Sequence, residues 1–92
     1  MEIKQQALAG TLESSDVLVE MIPENCPLAI ELSSPVKAQF GEDILNTVRE
    51  VMAEQGITEG RIRLEDRGAL DCTIRARLLT CLERAQAQGG NQ

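Results

Sequence analysis

At Ser34-Pro35 the apolar residues change their spacing, and this change constrains the fold more than any other feature of the chain. Before it, Leu28, Ile30 and Leu32 alternate with Ala29, Glu31 and Ser33, the period of two that places one face of a strand in a core. After it, Val36, Phe40, Ile44, Val48, Val51 and Met52 fall on one face of a helix, with Glu42, Arg49, Glu50 and Glu54 mostly elsewhere. A half-apolar strand running straight into a half-apolar helix calls for a mixed core in which sheet and helix cover each other. The junction residues suit the change. Ser34 is predicted to cap the first free amides of the helix, and Pro35 to take its first position, where a missing N–H loses no partner. Gly56 is predicted to stop it.

The rest of the chain extends this pattern. Residues 17–22 are rich in β-branched and apolar side chains and predict a strand closed by Pro23, with 23–27 as a turn. Residues 3–12 are a weaker strand candidate. Between the two, Glu13-Ser14-Ser15-Asp16 predicts a four-residue hairpin loop exposed at one end of the sheet. A fourth strand is read over 61–65, with Ile62 and Leu64 inward and Arg61, Arg63 and Glu65 outward. A last helix is read over about 70–87, with Leu70, Ile74, Leu78, Leu82 and Ala85 as its apolar stripe and Asp71 at the positive end of its dipole. Residues 89–92 read as a frayed tail. There is no internal repeat. The expectation is one domain over 1–92, an α+β two-layer fold: a four-stranded sheet (N-terminal hairpin, third strand, helix, fourth strand, helix) with two helices packed on one face.

Composition narrows the chemistry. Nine basic against fifteen acidic residues give a net charge of -6, which repels nucleic acid and anionic membranes and favours a partner with a basic patch. Phe40 is the single aromatic residue, too little for a base-stacking platform or an aromatic-anchored groove. The start of the sequence lacks the basic and apolar regions of a signal peptide, and no apolar run approaches membrane-spanning length, so the chain reads as cytoplasmic. Cys26, Cys72 and Cys81 are odd in number and without C-x-x-C spacing, which signals neither a disulfide framework nor a zinc site. On one helix Cys72 and Cys81 would stand about 13.5 Å apart along the axis and on opposite faces. Both read as reduced, partly buried small residues.

The same limits apply to the two serines of the loop. A serine hydroxyl needs a neighbouring base to become a nucleophile. The chain has no histidine, and neither of its two lysines, Lys4 and Lys37, stands in a Ser-x-x-Lys spacing with Ser14 or Ser15. A serine here can be modified but not activated by this chain, so any chemistry on it is installed by another protein. In an exposed loop either Ser14 or Ser15 would serve, and an ordinary turn serine bonding nearby backbone is the plainer role for each. Glu13 and Asp16 read as solvated turn residues, Gly68 and Asp71 as a helix start. Arg75, Arg77 and the pairs Glu42-Asp43 and Glu65-Asp66 read as solvated faces, since adjacent carboxylates on a helix or strand point apart and make no acid/base pair.

Taken together, Thr11-Leu12-Glu13-Ser14-Ser15-Asp16, Gln39-Phe40-Gly41 and Gly68-Ala69-Leu70-Asp71-Cys72 followed by Arg75-Ala76-Arg77-Leu78 resemble, in order and spacing, the acyl carrier (gamma) subunits of citrate lyase. The resemblance covers nearly the whole chain. It implies a non-catalytic carrier subunit with a covalent arm on Ser14, a phosphopantetheine-like 2'-(5''-phosphoribosyl)-3'-dephospho-CoA joined by a phosphodiester and bearing acyl groups as thioesters on its thiol. It further implies partners: a prosthetic-group transferase that loads the arm, an alpha subunit that exchanges acetyl for citryl with release of acetate, and a beta subunit that cleaves the citryl thioester to oxaloacetate. No nucleic acid and no membrane are implied. A carrier of the same kind in citramalate lyase or malonate decarboxylase is the neighbouring reading, and a non-enzymatic acidic interaction module is the reading from another class. The helical acyl carriers are disfavoured, because their Asp-Ser-Leu tripeptide is absent.

Overall fold

The structure, a computed structural model, describes residues 2–86. Its elements are β1 (Ala7–Gly10), β2 (Val17–Pro27), β3 (Ala29–Ser33), α1 (Lys37–Glu54), β4 (Glu59–Asp66) and α2 (Asp71–Gln86). The sheet order is β1-β2-β4-β3. β1 and β2 form the expected hairpin, with Ala7 opposite Met21 and Gly10 opposite Leu18. β4 lies antiparallel to β2 and parallel to β3, so α1 is the crossover that parallel neighbours require.

Alternation decides which face is covered. Ala7, Ala9, Val17, Val19, Met21, Ile62 and Leu64 point to one side and join Ile44, Val48, Val51 and Met52 of α1 and Ile74, Leu78, Leu82 and Ala85 of α2 in a single core. Both helices therefore pack on one face, as the patterning requires. Gly56 ends α1 as predicted: its φ is 71, and the amides of Gly56 and Ile57 bond the carbonyls of Ala53 and Met52 at 3.1 and 2.9 Å. That pair of bonds is the Schellman closure, and the burial of both Ile57 and Met52 completes it.

Several expectations are corrected. β1 covers four residues rather than 3–12, because the amides of Lys4 and Gln5 both bond the Ala85 carbonyl at the end of α2 instead of a strand partner. β2 does not stop at Pro23 but runs to Pro27, with a register shift between Ile22 and Pro27 that takes the prolines out of the regular ladder. α1 begins at Lys37, not at Pro35, and Val36 rather than Ser34 occupies its N-cap without a side-chain cap bond. Phe40 and Leu70, read as members of the apolar stripes, are 51% and 70% exposed. Cys72 is exposed, whereas Cys81 is fully buried and burial pushes its thiol up to about 11. The expected end of the last helix at 87 and the tail at 89–92 lie outside the described residues.

Candidate functional site

The strand directions bring three connections to one end of the sheet. β1, β3 and β4 point the same way and β2 the opposite way, so the carboxyl ends of β1, β3 and β4 lie beside the start of β2. The loop 11–16, the connection 34–36 and the connection 67–70 therefore meet there.

Gly10 opens the loop. Its φ is +96, and a Cβ at this position would lie 1.8 Å from the Val17 carbonyl oxygen, so only glycine permits the chain to leave β1 this way. The Thr11 hydroxyl then accepts from the Glu13 amide at 3.1 Å and donates to Asp16 Oδ2 at 2.7 Å. The Asp16 amide bonds the Glu13 carbonyl at 3.1 Å. Ser15, the one non-glycine residue with positive φ among the described residues (65), donates its amide to the Arg67 carbonyl at 2.8 Å, and the Arg67 amide returns a bond to the Asp16 carbonyl at 2.9 Å. The loop is thus clasped to the end of β4 on both sides of the Ser15-Asp16 peptide.

Asp16 is the hub. Besides the Thr11 hydroxyl it accepts the Val17 amide at 2.7 Å, and Arg77 of α2 reaches it with two guanidinium nitrogens, Nε at 3.0 Å from Oδ1 and Nη2 at 2.8 Å from Oδ2. This two-pronged contact, followed by the Thr11 and Val17 bonds, holds the Asp16 carboxyl well below the usual carboxylate range. Both residues depart from the solvated roles read for them. Ser14 and Ser15 are both exposed, and the side-chain bonds of the loop run through Thr11 and Asp16 rather than through either serine. Glu13 is exposed, as expected of a turn residue.

The neighbouring connections are anchored by two further aspartates. Asp66, read as solvated, is only 2% exposed and accepts the Ser34 hydroxyl at 2.8 Å and the amides of Gly68 and Ala69 at 3.1 and 3.0 Å. Ser34 is diverted to this bond and accepts the Val36 amide at 3.2 Å, which is why the connection folds as a turn before the helix begins. Asp71 sits in the first turn of α2, as expected, and its carboxyl is lowered by the Thr47 hydroxyl at 2.6 Å and then by Arg75 at 2.9 Å. Arg75 also pairs with Glu50 and so links α2 to α1 instead of facing solvent alone. Glu42 and Asp43 are exposed, as expected.

Chemically the loop offers an exposed hydroxyl on a pinned support, with its central carboxylate committed to Arg77. Sequence reading found the loop and its serines but missed Arg77, Asp66 and the Arg67 backbone. No local pattern marks an arginine that pairs with an aspartate 61 residues away. Among the described residues, no helix is long and apolar enough to cross a membrane.

Comparison with known proteins places the chain. The family model described as "Malonate decarboxylase delta subunit (MdcD)" matches residues 4–85. The "Citrate lyase acyl carrier protein" of Lactococcus lactis subsp. lactis (strain IL1403) is 52% identical over 85 residues, 92% of this chain and 88% of that one. The protein of the same name from Haemophilus influenzae (strain ATCC 51907 / DSM 11121 / KW20 / Rd) is 50% identical over 91 residues, 99% of this chain and 95% of that one. A chain in the crystal structure of a Pseudomonas malonate decarboxylase hetero-tetramer in complex with malonate has the same fold, with a TM-score of 0.76, 20% identity, and coverage of 90% of this chain and 86% of that chain. The chain belongs to the family of citrate lyase acyl carrier proteins.

Proposed function

We propose that this chain is the acyl carrier subunit of a citrate lyase and that its prosthetic arm, the phosphoribosyl dephospho-CoA group, is attached to Ser14 Oγ. The observation that carries the reading is the loop itself: Ser15 is tied by its amide and Asp16 by its side chain, and the exposed residue before them presents a hydroxyl on a fixed support. That hydroxyl fits the group, because Ser14 is exposed and the side-chain bonds that hold the loop run through Thr11, Asp16 and Arg77 instead. When bound, the group supplies a thiol that holds an acyl group as a thioester.

What the chain contributes is position. Loading replaces the Ser14 O–H bond with an O–P bond as the leaving group departs from the donor's phosphorus. The proton must pass to a base of the loading enzyme, since Asp16 is held ionised by Arg77 and is a poor base, and histidine is absent. The carrier then serves two other subunits of the complex, an alpha transferase and a beta lyase, by keeping the tethered thiol at high effective concentration at both. The family model over residues 4–85 is described by the malonate decarboxylase delta subunit, but citrate lyase is favoured because the relatives at 52% and 50% identity carry the citrate lyase name, whereas the solved malonate decarboxylase chain at 20% speaks for the fold alone.

Intact-mass measurement of the chain co-produced with its prosthetic-group transferase tests the assignment. One arm per chain is expected, with none on Ser14→Ala and one on Ser15→Ala. An unmodified native chain, or full loading of Ser14→Ala, overturns the reading.

A further inference from the structure

Beside the Ser14 loop, at the same end of the sheet, a groove of about 430 Å³ opens between the first turns of α1 and α2. Phe40 and Ile44 wall it on one side, Ala69, Leu70 and Ile74 on the other, and these include two of the most exposed large apolar side chains of the described residues. Two of its three carboxylates are already engaged, Asp66 with Ser34 and two amides and Asp71 with Thr47 and Arg75, and only that of Asp43 at the rim is open. An occupant therefore gains apolar contact there and finds few open hydrogen-bonding groups. Asp43 and Asp66 line the groove without an ion pair among the described residues, Asp71 is paired with Arg75, and no lysine or arginine lines the groove, so an anionic occupant is repelled.

The groove adjoins the proposed attachment point directly. Arg67, whose carbonyl takes the Ser15 amide at 2.8 Å, immediately precedes Gly68, Ala69 and Leu70 of the groove wall. A group tethered at Ser14 has an effective concentration in the millimolar range at such a neighbour, enough for a weak apolar contact to be populated.

We propose that this groove is the resting place of the uncharged, apolar far end of the arm carried on Ser14, and that it sorts the acyl group by charge. An arm ending in a thiol or a neutral acetyl thioester lodges against Phe40, Ile44, Leu70 and Ile74. An acyl group bearing carboxylates is turned out by Asp43 and Asp66 and stays available to partner subunits. This inference rests on the Ser14 attachment.

The test uses methyl-labelled chain loaded by its transferase, with one arm per chain verified by intact mass. Compared with the bare chain, loading and acetylation shift the methyl resonances of Ile44, Leu70 and Ile74, and a citryl thioester reverses those shifts. Leu70→Glu still loads but loses the shifts of Ile44 and Ile74, and its acetyl thioester hydrolyses about twofold faster than that of the native chain if the groove is half occupied. Shifts confined to residues 11–16 of a fully loaded chain overturn the proposal, as do equal hydrolysis rates. Groove shifts that appear in the bare chain at high protein concentration, or only when the alpha or beta subunit is added, also overturn it and assign the groove to self-association or to a partner. Absence of the arm by mass is a separate result, which removes the attachment reading and this inference with it.

Discussion

The pairing of Asp16 with Arg77 shows how a residue can be legible in type and illegible in role. Asp16 reads as a turn residue and is one, but what fixes the turn is an arginine on α2, 61 positions away, joined by two bonds of 3.0 and 2.8 Å. The loop that holds Ser14 and Ser15, by contrast, is legible from the sequence because an exposed loop needs only local signals, polar side chains between two apolar runs, although those signals do not choose between the two serines. The clamp makes a pH prediction. In the unfolded chain Asp16 takes up its proton near the ordinary carboxylate value of about 3.9, and in the folded chain only well below it. The stabilisation from this group is therefore complete above the unfolded value and is lost as pH falls through the folded one. In Arg77→Gln the Asp16 carboxyl should titrate higher, toward the ordinary range, and order in residues 11–16 should fail at a higher pH. A carboxyl-carbon NMR titration reads both, and an unchanged Asp16 midpoint in the variant would show that Arg77 is not the cause.

Among the elements, sequence reading succeeded where a rule needed only neighbours and failed where a distant group competed. The four strands and two helices follow from the period of the apolar residues together with β-branched composition and turn residues, and the Gly56 stop from the left-handed backbone a glycine permits. The start of α1 was misplaced because Ser34, a good cap by local rules, donates to Asp66 32 residues away. The end of β2 was misplaced because prolines usually close a strand, whereas here a register shift absorbs them. Two glycines at this end of the sheet separate strain from clash. Gly10 and Gly68 both have left-handed φ, +96 and +87, but a Cβ at Gly10 strikes the Val17 carbonyl at 1.8 Å while one at Gly68 meets nothing within 4 Å. Gly68→Ala should cost about 1–2 kcal/mol from backbone strain alone, and Gly10→Ala more than about 3 kcal/mol because β1 and β2 must part. For a domain of this size each kcal/mol moves the midpoint by about 4–8 °C, so thermal unfolding resolves the two. Equal shifts would remove the clash argument.

For the molecule as a whole, charge was legible in amount but not in arrangement. The sequence gives a net charge of -6, and the structure shows where the positive charge is engaged: Arg61 pairs with Glu24 and Glu31, Arg63 with Glu20 and Glu31, Arg67 with Glu65, Arg75 with Glu50 and Asp71, and Arg77 with Asp16. These arginines hold the sheet's open face, the helix pair and the Ser14 loop, so they neutralise carboxylates of this chain and contribute little attraction to an outside anion. Glu13 in the loop and Glu42 and Asp43 beside the groove are exposed and form no ion pair with the described residues. Against these three carboxylates stands exposed Lys37 at the start of α1, so the end of the molecule that presents Ser14 is acidic on balance, and a subunit that receives it must present cations there. Exposed charges of this kind act through solvent, over a Debye length of about 10 Å at 0.1 M salt and 3 Å at 1 M. Raising salt from about 0.05 to 0.5 M should then slow association of the carrier with its alpha or beta subunit by roughly tenfold or more while changing dissociation much less. Glu42→Gln with Asp43→Asn should flatten that salt dependence without altering the fold, since neither side chain anchors an element. Surface-immobilised partner subunits and a salt series measure both rates, and an association rate indifferent to salt would mean that apolar contact alone directs the docking.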